Sequence, residues 1–168
     1  MSLQTSPQQF LANLPARNFL EVFSNTSNLS IAYYQKNEGL NKARALLVIM
    51  ITDLVNYFNV GQQMTALQVA ETATQILEDE EYICLTIADF KLCFSLVKRG
   101  KLGDKIFRID GRVIFDFINE YMALRSREAQ RQSIKEAESY KMQTNSIDKI
   151  SGAVSWDEWC KMKKERNQ

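Results

Sequence analysis

Apolar side chains return at helical spacing along most of this chain. Leu46, Leu47, Met50, Leu54, Val55 and Phe58 recur every three or four residues, which predicts a helix over 40–58 with one buried face. Gly61 follows as a stop signal. Thr65 opens T-A-L-Q, a capping box with Gln68 at the third helical position. The helix it predicts runs to about Glu78, with Leu67, Val69, Ala70, Ala73, Ile76 and Leu77 apolar. Thr86 opens T-I-A-D, a similar start with Asp89 in place of Glu, and predicts a helix over 87–98. Lys98 and Arg99 suit its C-terminus, and Gly100 suits the residue after it. Asp110 is placed to cap a last long helix, from near Arg112 to about Lys141. Ile114, Phe117, Ile118, Tyr121 and Leu124 form its apolar stripe. Beyond Arg125 the stripe ends and charges of both signs alternate, so that end is expected to meet solvent or another chain.

The flanks carry weaker patterns. Residues 1–40 are polar, and Pro15 is placed to start a short helix, ARNFLEVF, before a loop at SNTSNLS. Ile106, Phe107 and Ile109 allow a short strand or hairpin arm, too little for a sheet. A polar linker from Thr144 to Gly152 precedes S-W-D-E, a third capping box that opens a short terminal helix. The fold expected is mostly α, a single helical domain of about four to six helices with a basic glycine-containing loop. Its expected parts are a polar, partly ordered segment over 1–40, a helical core over 41–142, and a linker with tail helix over 143–168.

Composition narrows the chemistry. The chain has 168 residues, 45% of them hydrophobic, which suffices for one core. Its two prolines, Pro7 and Pro15, leave everything after residue 15 free of that helix breaker. There is no histidine, so the commonest general base and metal ligand are missing and a Ser-His-Asp or Cys-His site cannot be built. Cys84, Cys93 and Cys160 form no CxxC pair, which argues against a structural zinc and fits a reducing cytosol. No cofactor, metal or small-molecule substrate is expected. The longest apolar stretch, Ala45 to Ile51, is too short to span a bilayer, so no membrane partner is expected either. No basic n-region with an apolar run opens the chain, so no signal peptide is expected and the expected location is the cytoplasm.

The net charge of +1 conceals segregation. Residues 45–90 hold seven acids and no Lys or Arg, whereas residues 91–112 hold seven bases and two acids. Such a chain can present one acidic and one basic face. The basic part centres on KRGKLGDKIFRIDGR, residues 98–112, where Lys98, Arg99, Lys101, Lys105, Arg108 and Arg112 surround three glycines. These six are the candidate contacts to DNA phosphate or to a protein partner. Gly100 to Gly103 spells GxxG, the clamp of KH domains, but the strands of that fold are absent, and no GxxxxGK[ST] P-loop occurs. The plainer reading is a loop that neutralises the acidic run Glu78 to Glu81 at the end of the preceding helix.

Other candidates are weaker. Met64 to Leu77 is similar to the first helix of a helix-turn-helix, but the next helix has only Lys91 before its basic end and would read DNA poorly. Asp53, Glu71, Asp79 and Asp89 could form a carboxylate metal site only without the Glu-x-x-His pairs such sites use, and read better as solvated faces. Trp156 and Trp159 sit after a linker on a short helix, where a bulky pair serves docking, onto this chain or onto a partner.

The stretch from Ala45 to Arg125 resembles a family of small helical proteins from phages and mobile elements of gut Bacteroidetes. The resemblance rests on LLVIMITDLVNYFNVGQQMTALQVAETATQILED and on IADFKLCFSLVKRGKLGDKIFRIDGRVIFDFINEY, with a K-R-G-K-x-G loop, then R-x-D-G, then an apolar helix ending in Tyr. It covers about half of the chain and leaves out the tail from Arg127; Asp104 stands where the family has an aromatic residue. The family has the look of replication accessory proteins such as helicase loaders, which are adaptors and not catalysts. The resemblance therefore implies a non-enzymatic adaptor in phage or mobile-element DNA replication, in the host cytoplasm, touching DNA or a replicative helicase through the basic loop. The alternative is a structural or interaction protein, a virion component or an inhibitor of a host factor, that self-associates acidic face to basic face.

Overall fold

A computed structural model of the chain describes residues 6–25, 30–58, 60–61, 63–103, 106, 108–147 and 156–165, with backbone alone at 142–147, 157–158, 162 and 164. Eight helices occur among them. They are α1 (Pro7–Asn13), α2 (Phe19–Ser24), α3 (Ile31–Glu38), α4 (Leu40–Tyr57), α5 (Ala66–Glu78), α6 (Ile87–Lys98), α7 (Gly111–Ile147) and α8 (Trp156–Glu165). The described residues contain no strand, only an isolated bridge between Ser30 and Thr86. The fold is therefore all-α, and the hairpin arm allowed at 106–109 does not form at its described positions; Phe107 lies outside the described residues.

Local chemistry explains the helix starts. Thr65 with Gln68 and Thr86 with Asp89 close the expected capping boxes, each side chain satisfying the other residue's backbone N–H. Ser6 and Gln9 form a further box at α1, with Pro7 in the first turn. Asn18 caps α2, and Ser30 caps α3. Two N–H groups at the start of α3, from Ile31 and Ala32, also donate to the carbonyls of Leu85 (2.7 Å) and Ile83 (3.1 Å). Gly39, at φ +93°, ends α3 and begins α4, a backbone conformation that side chains resist.

The chain divides into two compact units, residues 1–126 and 127–168. In the first, α4 is the centre and packs against α1, α3, α5 and α6. Ala43, Leu46, Leu47, Met50, Ile51, Leu54 and Val55 supply its buried face. The N-terminal segment, expected to be polar and only partly ordered, carries three helices and gives Leu11, Ala16, Val22 and Ile31 to the same core. Ser6, Asn18 and Ser30 act as helix caps while widely spaced apolar residues do the packing. The short helix expected from Pro15 starts later, at Phe19, because Asn18 accepts from the Glu21 N–H. Residues 26–29 of the expected loop lie outside the described residues.

One buried charge organises this unit. Asp89 is fully buried, and its carboxylate accepts from Thr86 N–H (2.9 Å), Thr86 Oγ1 (2.8 Å), Tyr121 O–H (2.7 Å) and Arg125 Nε (2.8 Å). A carboxylate survives in a core only when donors replace its water, and here four do. Phe19 stacks on Tyr121 with centroids 5.5 Å apart, and the Arg125 guanidinium lies over Phe23 at 5.3 Å. Helix α2 thus covers the node from outside, and α7 is tied to the N-terminus of α6.

The second unit contains residue 127 to the end of α7, together with α8. Most of its described α7 side chains are exposed, including Ile134 and Tyr140. Helix α7 continues to Ile147, into the segment expected as linker from Thr144, because neither proline nor glycine occurs before Gly152 to stop it. No helix among the described residues is long and apolar enough to cross a membrane.

Candidate functional site

The basic loop joins α6 to α7 and is anchored at several points. Gly100, at φ +65°, ends α6 in a Schellman turn: its N–H donates to Val97 O and that of Lys101 to Leu96 O, both at 2.9 Å. Leu102 and Ile109 are buried. The Gly103 N–H donates to Glu120 Oε2 of α7 at 2.8 Å. At Gly103, φ is +70°, and a Cβ would lie 2.5 Å from Phe117 Cε1, so only glycine fits. Asp110 closes the loop by accepting from Val113 N–H at 3.0 Å. The amides of Gly100, Lys101 and Gly103 are therefore all spent within the fold, so the glycines do not cradle a phosphate with those groups.

The five expected contact residues that are described do not form one outward patch. Lys98 turns to the protein, pairing with Asp53 Oδ2 at 2.5 Å and lying over the Tyr57 ring at 5.1 Å. Its position at the last turn of α6, against α4, makes it a tie between helices. Arg99 donates through Nε to Ser95 O at 3.1 Å and lines a cleft of about 540 Å³ with Arg17, Glu21 and Lys91. Arg108 is exposed and pairs with its neighbour Asp110 at 3.2 Å. Lys101 and Arg112 are exposed, and no ion pair joins either to another described residue. Lys105 lies outside the described residues.

The acidic run lies at the end of α5. Helix α5 ends at Glu78, and residues 80–84 form turns. Asp79 accepts from the Glu81 N–H at 2.9 Å, and Tyr82 turns inward to stack on Phe115 and donate to Asn119 Oδ1 at 2.9 Å. Among the described residues no ion pair links Glu78 to Glu81 with the basic loop.

In the second unit the Trp156 and Trp159 rings stack with centroids 5.1 Å apart and planes 18° from parallel. Lys163 Nζ lies 4.8 Å from the Trp159 centroid. Trp156 is 73% exposed and Trp159 44%. The spacing 156, 159, 163 places all three on one helix face.

Four residues escape a reading by motif: Lys91, Glu120, and the two partners of Asp89, Tyr121 and Arg125. Lys91, on α6, donates to the carbonyls of Leu11, Ala12 and Leu14 and so caps the C-terminus of α1. Burial, then the nearby Arg17, lowers its pKa below the usual lysine value. Glu120 holds the loop amide. Asp89 is recognisable as a capping residue, but nothing local names Tyr121 and Arg125 as its partners. The carboxylates Asp53, Glu71, Asp79 and Asp89 are dispersed, with Asp53 on Lys98 and Asp89 in the core. No protein-family model matches the chain, and no curated protein or solved structure matches it.

Proposed function

We propose that this chain is a non-enzymatic adaptor of phage or mobile-element DNA replication that holds DNA through the α6–α7 loop. The observation that carries the reading is the anchored loop itself. Leu102, Gly103 and Ile109 pin it, while Lys101, Arg108 and Arg112 stay exposed. Exposed cations carried next to anchored backbone can meet phosphates and displace condensed counterions. Arg is suited to bidentate phosphate contact and Lys to point-charge contact. Because the exposed groups are cationic side chains suited to phosphate, the contact expected is with the nucleic-acid backbone and indifferent to base sequence.

Anisotropy with a labelled duplex tests this. Binding should weaken as salt rises, and Lys101→Glu with Arg112→Glu should lower the slope of log K against log salt by about 2, roughly one per phosphate contact removed. Absence of duplex binding at about 50 mM salt would overturn the DNA contact, leaving a replicative ATPase as the partner to examine. A second reading, self-assembly of acidic on basic surface, is favoured by charge segregation, with Glu78, Glu80 and Glu81 exposed in one segment and Lys101, Arg108 and Arg112 exposed in another. It requires a mass in light scattering that rises with concentration and falls with salt.

A further inference from the structure

We infer that helix α8 is a stacking platform for single-stranded nucleic acid, with the open face of Trp156 receiving a base and Lys161 and Lys163 receiving phosphates. The inference deepens the DNA reading above and rests on it, but uses a different surface in a different unit of the chain. Two stacked indoles leave an outer ring face of the first one free, and Trp156 is 73% exposed. The other end of the stack is closed by Lys163 over Trp159. Ring, ring and ammonium thus form a short column with one open aromatic end.

Charge selects the partner. Helix α8 carries Lys161 and Lys163 directly after the tryptophans, and both are exposed. A flat aromatic face beside ammonium groups matches a base beside its phosphate, the pairing used by proteins that bind single strands without reading sequence. A protein groove would instead ask for an apolar helix face, with the indoles buried in pockets. On α8 the apolar residues are Trp156, Trp159, Cys160 and Met162, with Asp157 and Glu158 between them. That stripe is too small for a helix lying in a lipid interface, which buries a broad apolar face. A duplex offers no open base face except at its ends, so the single strand is the form that fits.

The chain supplies its own probe, since Trp156 and Trp159 are its only tryptophans. Titrating the full-length protein with oligothymidylate at low salt should quench its tryptophan emission saturably. Trp156→Ala should weaken binding about tenfold, read through the remaining Trp159, because stacking of one base is worth about one such factor or more. Trp156→Phe should recover most of that loss, since a flat ring remains. Both substitutions are at an exposed position, and unchanged circular dichroism at 222 nm will show that the helices persist. Lys101→Glu with Arg112→Glu should still show saturable quenching by oligothymidylate. That outcome, with duplex binding lost, separates the two surfaces; quenching without any duplex binding would sink the loop reading alone. Unchanged affinity in Trp156→Ala, or no quenching by oligothymidylate, overturns the platform. So does a blue shift with phosphatidylglycerol vesicles in place of a response to the oligonucleotide, or an emission that depends on protein concentration alone.

Discussion

Asp89→Ala takes away the acceptor for four hydrogen bonds in one step. The consequences can be worked group by group. The Tyr121 hydroxyl is fully buried, and loss of its acceptor costs roughly 1–3 kcal/mol. The Thr86 N–H loses its capping-box partner, about 1 kcal/mol more. Arg125 loses a charge-assisted bond of roughly 1.5–3 kcal/mol, with the lower end apt because its side chain is 34% exposed and regains water. The total is about 4 kcal/mol, in the range of about 3–5 kcal/mol seen when one partner of a buried pair is removed. That is a large share of a stability of about 5–15 kcal/mol. Urea unfolding should be followed by circular dichroism at 222 nm, because the tryptophans sit in the other unit. With a slope of about 2 kcal/mol per M, the midpoint should fall by about 2 M. Asp89→Asn, which keeps the volume but not the charge, should lose about half as much. Arg125→Ala should cost clearly less in the Asp89→Ala background than in the native chain, since the two share one bond. A midpoint shift below about 0.5 M for Asp89→Ala, or strict additivity with Arg125→Ala, would refute the node.

Two other outcomes follow from the same geometry. Gly103→Ala places a Cβ 2.5 Å from Phe117 Cε1 at a φ of +70°, whereas Gly100→Ala meets open space at +65°. The second should cost about 1 kcal/mol and the first at least about 2 kcal/mol, both read as urea midpoints; equal losses would mean that Phe117 yields freely. Burial, then the charge of Asp89, raises the Tyr121 pKa far above its ordinary 10.0, and burial raises that of Cys93 above 9.0. These groups stay protonated when folded and ionise when unfolded, so their contribution is complete below about pH 9 and is lost as pH climbs from there. Stability should therefore decline from about pH 9 upward, and Tyr121→Phe should flatten the decline above about pH 10; a decline unchanged in that variant would count against the Tyr121 assignment.

Much of this architecture was legible in the chain because it is local. A helix start needs a side chain three residues from an amide, and Thr65, Thr86 and Asp110 stand where that chemistry requires. The same rule reads Ser6-Pro7-Gln8-Gln9 as a helix start, so α1 was within reach, hidden by the polar composition around it. The α3 signals, Ser30 before it and Gly39 after it, were likewise present. The ends of the basic loop were also readable, since Gly100 closes one helix and Asp110 opens the next.

Tertiary structure alone decided which charges serve the fold and which remain outside. Lys98 and Arg112 look alike in sequence, yet Lys98 meets Asp53, 45 residues away, while Arg112 has no ion pair among the described residues. Lys91 meets carbonyls 77 to 80 residues earlier, and Asp89 meets Tyr121 and Arg125, 32 and 36 residues later. Periodicity specifies which face of a helix is apolar, because that depends on 3.6 residues per turn. It does not specify which polar group on a neighbouring helix arrives opposite, because that depends on how the helices pack.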